Sequence, residues 1–445
     1  MELLLHHTWR QRLFPLGELR STCGQRIEVI DTGLHNHDAG PDFFNAKVKI
    51  DGQLWIGNVE IHQRSSDWYR HRHHEDERYN NVVLHVVEVA DAEVNTQNGT
   101  RLPQLLLHPP AELQTRFEEL CQEEQYPPCY KLLPSLPQLH IHAWLSALST
   151  ERLEQKTTRI RQWLEQTQGD WEHCFFIALA RAFGFGKNAD AFEQWAQTIL
   201  PQHIGKHRDQ PFQVEAFFLG QAGLLEASHV TNEREDDYFR ALQKEYHFLR
   251  HKFQLTPLPA SRWKFLRLRP QNFPYRRLAQ LAQLYSAGQL NLSRVREAKN
   301  LDELRKMLRA ETPDYWCTHY TFGETKTSDS SKKPTNPKIK GSRKHTISSS
   351  SIDLLIINAV IPILFAYGRA HQDESLTERA YSWLEMLPAE RNHILTAWEK
   401  AGLPAQHAAD AQALIHLRTH YCDAKNCLRC RFGQHYLQTP ALSSS

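Results

Sequence analysis

Leu4, Leu5, Trp9 and Leu13 recur at roughly helical intervals through residues 2–14, and Pro15 ends the run, so the chain opens on an amphipathic helix. The period then changes. "QRIEVIDTG", "FFNAKVKID" and "QLWIGNVEIHQ" are short, rich in β-branched and aromatic residues and bounded by Gly, Asp and Asn, which predicts three strands, with "DGQ" at 51–53 as a hairpin turn. "SSDWYRHRHHEDERYNN" shows no alternation and offers Ser65 or Ser66 as an N-cap, so a helix is expected. "VVLHVVEV" reads as a buried strand, and "RLPQLLLH" adds a candidate strand.

Beyond about residue 111 the apolar positions recur at helical spacing, as in "HAWLSALSTERLEQKTTRIRQWLEQ" and "IDLLIINAVIPILFAYGRAH". The pattern predicts an α/β domain over residues 1–110, a mixed sheet flanked by helices, and a mostly α-helical domain over 111–445. Residues 323–351 interrupt it: they are rich in Ser, Thr and Lys, nearly devoid of apolar side chains, and expected to form a disordered loop. "FGFGKNADAF" at 183–192 lacks the form of a phosphate-binding loop and reads as a helix–helix turn.

Charge changes the picture little. With 53 Lys+Arg against 51 Asp+Glu the net charge is +2, so any surface for nucleic acid must be local. No run approaches the roughly 18 apolar residues of a membrane span, and "MELLLHHTWRQRLF" lacks a signal-peptide pattern, so a cytoplasmic protein without membrane contact is expected. The eight cysteines suit reduced thiols and one metal site better than a disulfide framework.

The candidate chemistry lies in "GPDFFNAKVKIDGQLWIGNVEIH", residues 40–62. Strand alternation puts Glu60 and His62 on one face, and a hairpin turning at Gly52 brings Asp42 beside them. Two carboxylates make an oxygen-rich site for Mg²⁺ or Mn²⁺, with Mn²⁺ favoured if the histidine ligates, and a metal so held suits phosphodiester hydrolysis. The bland alternative is a capped turn and solvated strand residues.

This element order, with "PD" at 41–42 and an acid-x-base triplet at 60–62, resembles the core of the PD-(D/E)XK nuclease superfamily. The resemblance implies a metal-dependent nuclease, DNA favoured. Asp42 and Glu60 would then be the metal ligands, His62 stands where the superfamily has its water-assisting lysine, and Glu2 is the acidic residue that the first helix contributes. The rival reading is a non-catalytic nucleic-acid-binding or scaffold protein that keeps the fold. Through "GPDF", "VEIH", "SSDWYRH", "YNNVVLHVV" and the terminal cysteines, the whole chain is also similar to an uncharacterised bacterial family, domain of unknown function 2851.

Two further segments suit phosphate contact. Helical spacing would align Asp67, His71, His74 and Arg78 on one stripe, with His73 beside it and Trp68 and Tyr69 available for stacking; a solvated face is the alternative. "RWKFLRLRPQNFPYRRL" interleaves Arg267, Arg269, Arg276 and Arg277 with Trp263, Phe265, Phe273 and Tyr275, which suits nucleic acid or an interface with snorkelling arginines.

Near the C-terminus, Cys422, Cys427 and Cys430 form a C-x4-C-x2-C cluster within 422–430 that reads as metal ligands. A structural Zn²⁺ needs a fourth ligand, for which His420, His416 and Cys317 are candidates. The nuclease resemblance adds an iron–sulfur cluster as the rival cofactor.

Overall fold

The computed structural model describes residues 2–36, 38–226, 236–325 and 346–438. They form two compact units: Met1–Gln138 with Ala397–Leu403 and Leu417–Ser445, and Leu139–Thr396 with Pro404–His416. The first holds a mixed sheet and the second is mostly helical. The division expected after residue 110 falls after 138 instead. The helix at Ala111–Gln122 stays with the sheet, packed on the C-terminal helix Arg431–Gln438 and tied to it by Arg116 Nη1 donating to the Tyr436 carbonyl at 3.2 Å.

In the first unit α1 (Glu2–Arg10) precedes strands β1 (Leu19–Arg20), β2 (Arg26–Asp31), β3 (Leu34–His35), β4 (Phe43–Ile50) and β5 (Gln53–Arg64). Then come α2 (Asp67–Arg70), β6 (Val82–Val89) and β7 (Gln104–Leu106). The strand order is β1-β2-β4-β5-β6-β7, with β3 paired to β4. Pairing is antiparallel from β2 through β4 to β5, and parallel from β5 to β6.

The β4–β5 hairpin closes on Asp51 and Gly52, both at positive φ (50° and 85°), between the paired residues Ile50 and Gln53. That is the twist-compatible two-residue turn that Asp-Gly favours. Nearer the open end of the hairpin a bulge at Asn45 (φ 56°) shifts the register, so that Phe43 faces Val59. α1 covers one face of the sheet: Leu5 and Trp9 pack with Phe43, Val48, Val59, Ile61 and Leu84, and Trp9 Nε1 donates to the Thr32 carbonyl at 3.1 Å. Trp68, Tyr79, Val82, Val94 and Leu102 form a smaller cluster of their own. Within β5 the stretch Val59–His62 is buried at every position.

The expected helix over 67–78 is broken. Arg72 turns left-handed (φ 64°), and two short 3₁₀ turns, His73–Glu75 and Glu77–Tyr79, follow it. The predicted stripe therefore does not exist, because its spacing needs an unbroken 3.6-residue period.

The second unit packs helices around a core that includes Trp195, Phe218, Trp316 and Phe365. Its helix Ser349–His371 has the length and composition to cross a membrane, but 72% of its most apolar window is buried inside the protein. Of the segment 323–351 expected to be disordered, residues 326–345 lie outside the described residues. Its flanks are ordered: Glu324–Thr325 pairs with His319–Thr321, and Ser348 caps a helix beginning at Ser349.

Candidate metal centre

The register of β4 and β5 sets Asp42 against Glu60. The Asp42 backbone N–H donates to Glu60 Oε2 at 3.1 Å, and the Ile61 N–H donates to Asp42 Oδ2 at 2.9 Å. Glu60 and His62 share a face, as alternation requires, and both are buried, at 4% and 2% exposure, so they are not solvated strand residues. The break at Arg72 then folds two more histidines over them. His73 Nε2 lies 3.2 Å and His62 Nε2 3.4 Å from Glu60 Oε1, while His71 Nδ1 lies 3.2 Å from His62 Nε2. Among the described residues, His62, His71 and His73 are the group whose ligand atoms all lie within 4.8 Å of one another.

The surroundings fix these rings. The other nitrogen of His62 shares a hydrogen bond with His85 Nε2 on the parallel neighbour β6 at 2.9 Å. His73 stacks on Tyr79 and meets the edge of Trp68. From α1, buried His6 Nε2 approaches Asp42 Oδ2 at 3.5 Å. Glu2 is exposed and acts on the site only through its charge.

Burial dominates the electrostatics. It raises Glu60, helped by the Asp42 charge, and raises Asp42 against the stabilising N–H of Ile61. It also pushes His62 down to about 2 and His73 to about 4, each helped by neighbouring imidazoles. Two carboxylates short of a counter-charge thus face imidazoles held in their neutral, ligating form. A divalent cation among Asp42, Glu60, His62, His71 and His73 would answer both needs, and His6 Nε2 lies beside the same carboxylate. With three histidines in the set, Mn²⁺, Fe²⁺ or Zn²⁺ fits better than Mg²⁺.

The other expected contact residues divide. Asp67 is buried, accepting from the Arg64 N–H at 3.1 Å and pairing with Arg70 at 2.9 Å, so it shapes the turn. His74 packs against Tyr69 and pairs with Glu75, and Arg78 pairs with Asp76 at the surface. Arg267 and Arg269 are exposed. Arg276 and Arg277 are not: the helix Pro274–Ala287 is buried continuously from Pro274 to Ala282, and Arg277 bonds Gln280 and Asn272 beneath the ring of Phe185. Trp263 and Tyr275 are core residues, which leaves Arg276, Arg277 and both rings unable to meet a ligand.

Cys422, Cys427 and Cys430 lie within electrostatic reach of two further thiols that spacing alone does not reveal. Cys129 is buried, its thiol raised first by burial and then by Cys430, Cys422 and Cys427, and Cys121 acts likewise on Cys427. Cys129 thus joins His420, His416 and Cys317 as a candidate for the fourth ligand. His420 bonds Thr419, while His416 and Cys317 belong to the second unit. Among the described residues no trio of cysteine sulfurs meets the 4.8 Å spacing of the histidines. The cysteine loop also carries Lys425 and Arg429, which with His6 and Arg10 line a small cavity of about 40 Å³.

Fold and site together define an α/β module with a buried carboxylate–histidine centre joined to a helical unit. The chain belongs to the family described as Protein of unknown function (DUF2851), whose model matches residues 2–393, a range that ends before the cysteines at 422–430. No curated protein and no solved structure is similar enough to match.

Proposed function

We propose that this protein is a divalent-metal-dependent phosphodiesterase of PD-(D/E)XK type that cleaves nucleic acid, DNA favoured. The observation that carries the reading is the reciprocal anchoring of Asp42 and Glu60 on adjoining strands beneath His62, His71 and His73. Three antiparallel strands, a helical turn and a parallel strand, preceded by α1, support it as the element order of that superfamily.

Asp42, Glu60, His62, His71 and His73 would hold the ion, Mn²⁺ in preference to Mg²⁺. Bound there, such an ion lowers the pKa of a coordinated water and offsets the charge that develops as the water oxygen bonds to phosphorus and the ester P–O bond breaks. The protein's own groups do the rest. Exposed His71 would complete the ligand set at the mouth of the site, and the proton the water loses would pass from there to solvent. Arg10, Lys425 and Arg429 present positive charge beside His6, where the flanking phosphates would lie. Cys129, Cys422, Cys427 and Cys430 would hold Zn²⁺ or an iron–sulfur cluster that stiffens the loop bearing Lys425 and Arg429. The eight free cysteines suit a cytoplasmic location.

The second reading, a binding-only protein, is favoured by His62 itself. It is 2% exposed and bound to His85, so it offers no mobile cation to a water. Incubating single- and double-stranded DNA and RNA with the protein in Mn²⁺, Mg²⁺ and EDTA separates the two: cleavage that needs the metal supports the enzyme, and binding without cleavage supports the scaffold.

A further inference from the structure

The largest cavity described, about 640 Å³, lies in the helical unit, and its wall carries Arg152, Lys156, Arg159 and Arg181 against a single carboxylate, Glu390. Three of the four cations come from one helix, Gln138–Gln166, at spacings of four and three residues, so they share one face. Like charges so placed repel, and a helix keeps such a stripe at a cost in stability unless an anion neutralises it. Here one carboxylate, Glu390, faces both Arg152 and Lys156, fewer negative charges than the cations it serves. Lys156 Nζ donates to Gln412 Oε1 at 3.0 Å, Asn358 Oδ1 at 3.1 Å and the Ile357 carbonyl at 3.5 Å, all of them uncharged. Arg152 bonds the amide of Gln155, and its Nε is buried with no partner. Arg181 alone is salt-bridged, to Asp190 and Glu193.

The wall opposite the cationic helix is specialised too. Ile356–Val360 forms a π-helical turn inside the apolar helix Ser349–His371, and Asn358, the polar side chain of that turn, is exposed and bonded to Lys156. π-turns within α-helices are frequent at functional sites. Gln412 bridges the two charge types, accepting from Lys156 and donating to Glu390 at 2.8 Å. The volume is that of a site for a small organic ligand and far exceeds what a single phosphate fills.

We propose that this cavity binds a small polyphosphate anion, of the size of a nucleoside di- or triphosphate, with its phosphates on Arg152, Lys156 and Arg159. The site lies wholly in the second unit and shares no residue with the metal centre, so it stands or falls independently of the nuclease reading. Charge-assisted hydrogen bonds from three cations to phosphate oxygens carry the affinity.

Calorimetric titration and thermal shift of the full chain test it with ATP, ADP, AMP, adenosine, tripolyphosphate and pyrophosphate, the inorganic ions separating recognition of the whole nucleotide from recognition of its phosphates. Saturable 1:1 binding of ATP, ADP or tripolyphosphate, with adenosine silent, is the expected result. Lys156→Gln and Arg152→Gln should each weaken it by about ten-fold or more, the loss expected for one charge-assisted bond. Arg159→Gln, at an exposed helical position where folding is not at risk, should do the same. Glu60→Gln should leave it unchanged. Absence of saturable binding by every polyphosphate, or binding that Arg159→Gln and Lys156→Gln leave intact, would overturn the proposal, as would binding by a short oligonucleotide alone.

Discussion

Asp42 and Glu60 hold each other through the backbone: the N–H of Asp42 donates to the Glu60 carboxylate, and the N–H following Glu60 donates to the Asp42 carboxylate. Each acid thereby keeps an anchored oxygen, and the pair is set before any ligand arrives. Such preorganisation is what a metal centre needs from its protein.

The histidines over this pair should matter for metal binding. Replacing His73 by Ala removes the imidazole 3.2 Å from Glu60 Oε1 and should weaken Mn²⁺ binding by about 10- to 100-fold. His74→Ala, a neighbour turned toward Tyr69, should leave it unchanged. Titration of the apo protein with Mn²⁺ by calorimetry reads both, and equal losses would remove His73 from the site.

Cys129 is the second test. Purified protein should contain zinc or iron, and Cys129→Ser should lose that metal and melt at lower temperature, because ligation and folding are coupled at such sites. The Cys317→Ser variant, at a thiol that donates to the Thr312 carbonyl in the helical unit, should keep its metal. Elemental analysis of the wild type and the two variants decides; full metal content in Cys129→Ser contradicts the assignment.

Much of the first unit was legible in the chain. The Asp-Gly turn dictated a two-residue hairpin, and alternation from it put Glu60 and His62 together with Asp42 opposite. The helical unit followed from its 3.6-residue periodicity. Other features leave no local trace. Nothing in "YRHRHHED" marks Arg72 as the left-handed residue that brings His73, rather than His74, to Glu60. His6 lies one turn after Glu2 on the same helix, and a search for an acid passes over it. Cys129 is distant in sequence from the three cysteines that act on its thiol, so spacing cannot reveal it. Interleaved arginines and aromatics look alike whether they face solvent or, like Arg277 and Trp263, bond inside a core.

Arg277 should therefore behave as a stability residue. Arg277→Met strips bonds from Gln280 and Asn272 and the contact with Phe185, which should cost about 1–3 kcal/mol. Exposed Arg267→Gln should stay within about 0.5 kcal/mol. Denaturant unfolding measures both, and a neutral Arg277→Met would reopen a surface role for that residue.

Glu215 gives the helical unit a pH dependence. It is 1% exposed, accepts from Trp316 Nε1 at 2.7 Å and the Tyr238 hydroxyl at 2.8 Å, and burial raises its pKa to about 7. A raised native pKa means the folded state binds the proton more tightly, so the stabilisation is complete below the ordinary glutamate value of about 4.3 and is lost as pH rises through about 7. Glu215→Gln keeps both acceptor bonds and removes the titration. The difference in melting temperature, variant minus wild type, should grow between about pH 5 and pH 8. A difference independent of pH would exclude Glu215 as its source.

The most direct test of the account is the rate at which purified wild type and Glu60→Gln cleave labelled DNA with Mn²⁺ added or withheld. The geometry predicts cleavage by the wild type that EDTA abolishes and Mn²⁺ restores above its level in Mg²⁺. It also predicts a fall of about 100-fold or more in Glu60→Gln, with DNA binding retained. Metal-independent cleavage, or equal rates for wild type and Glu60→Gln, would contradict it.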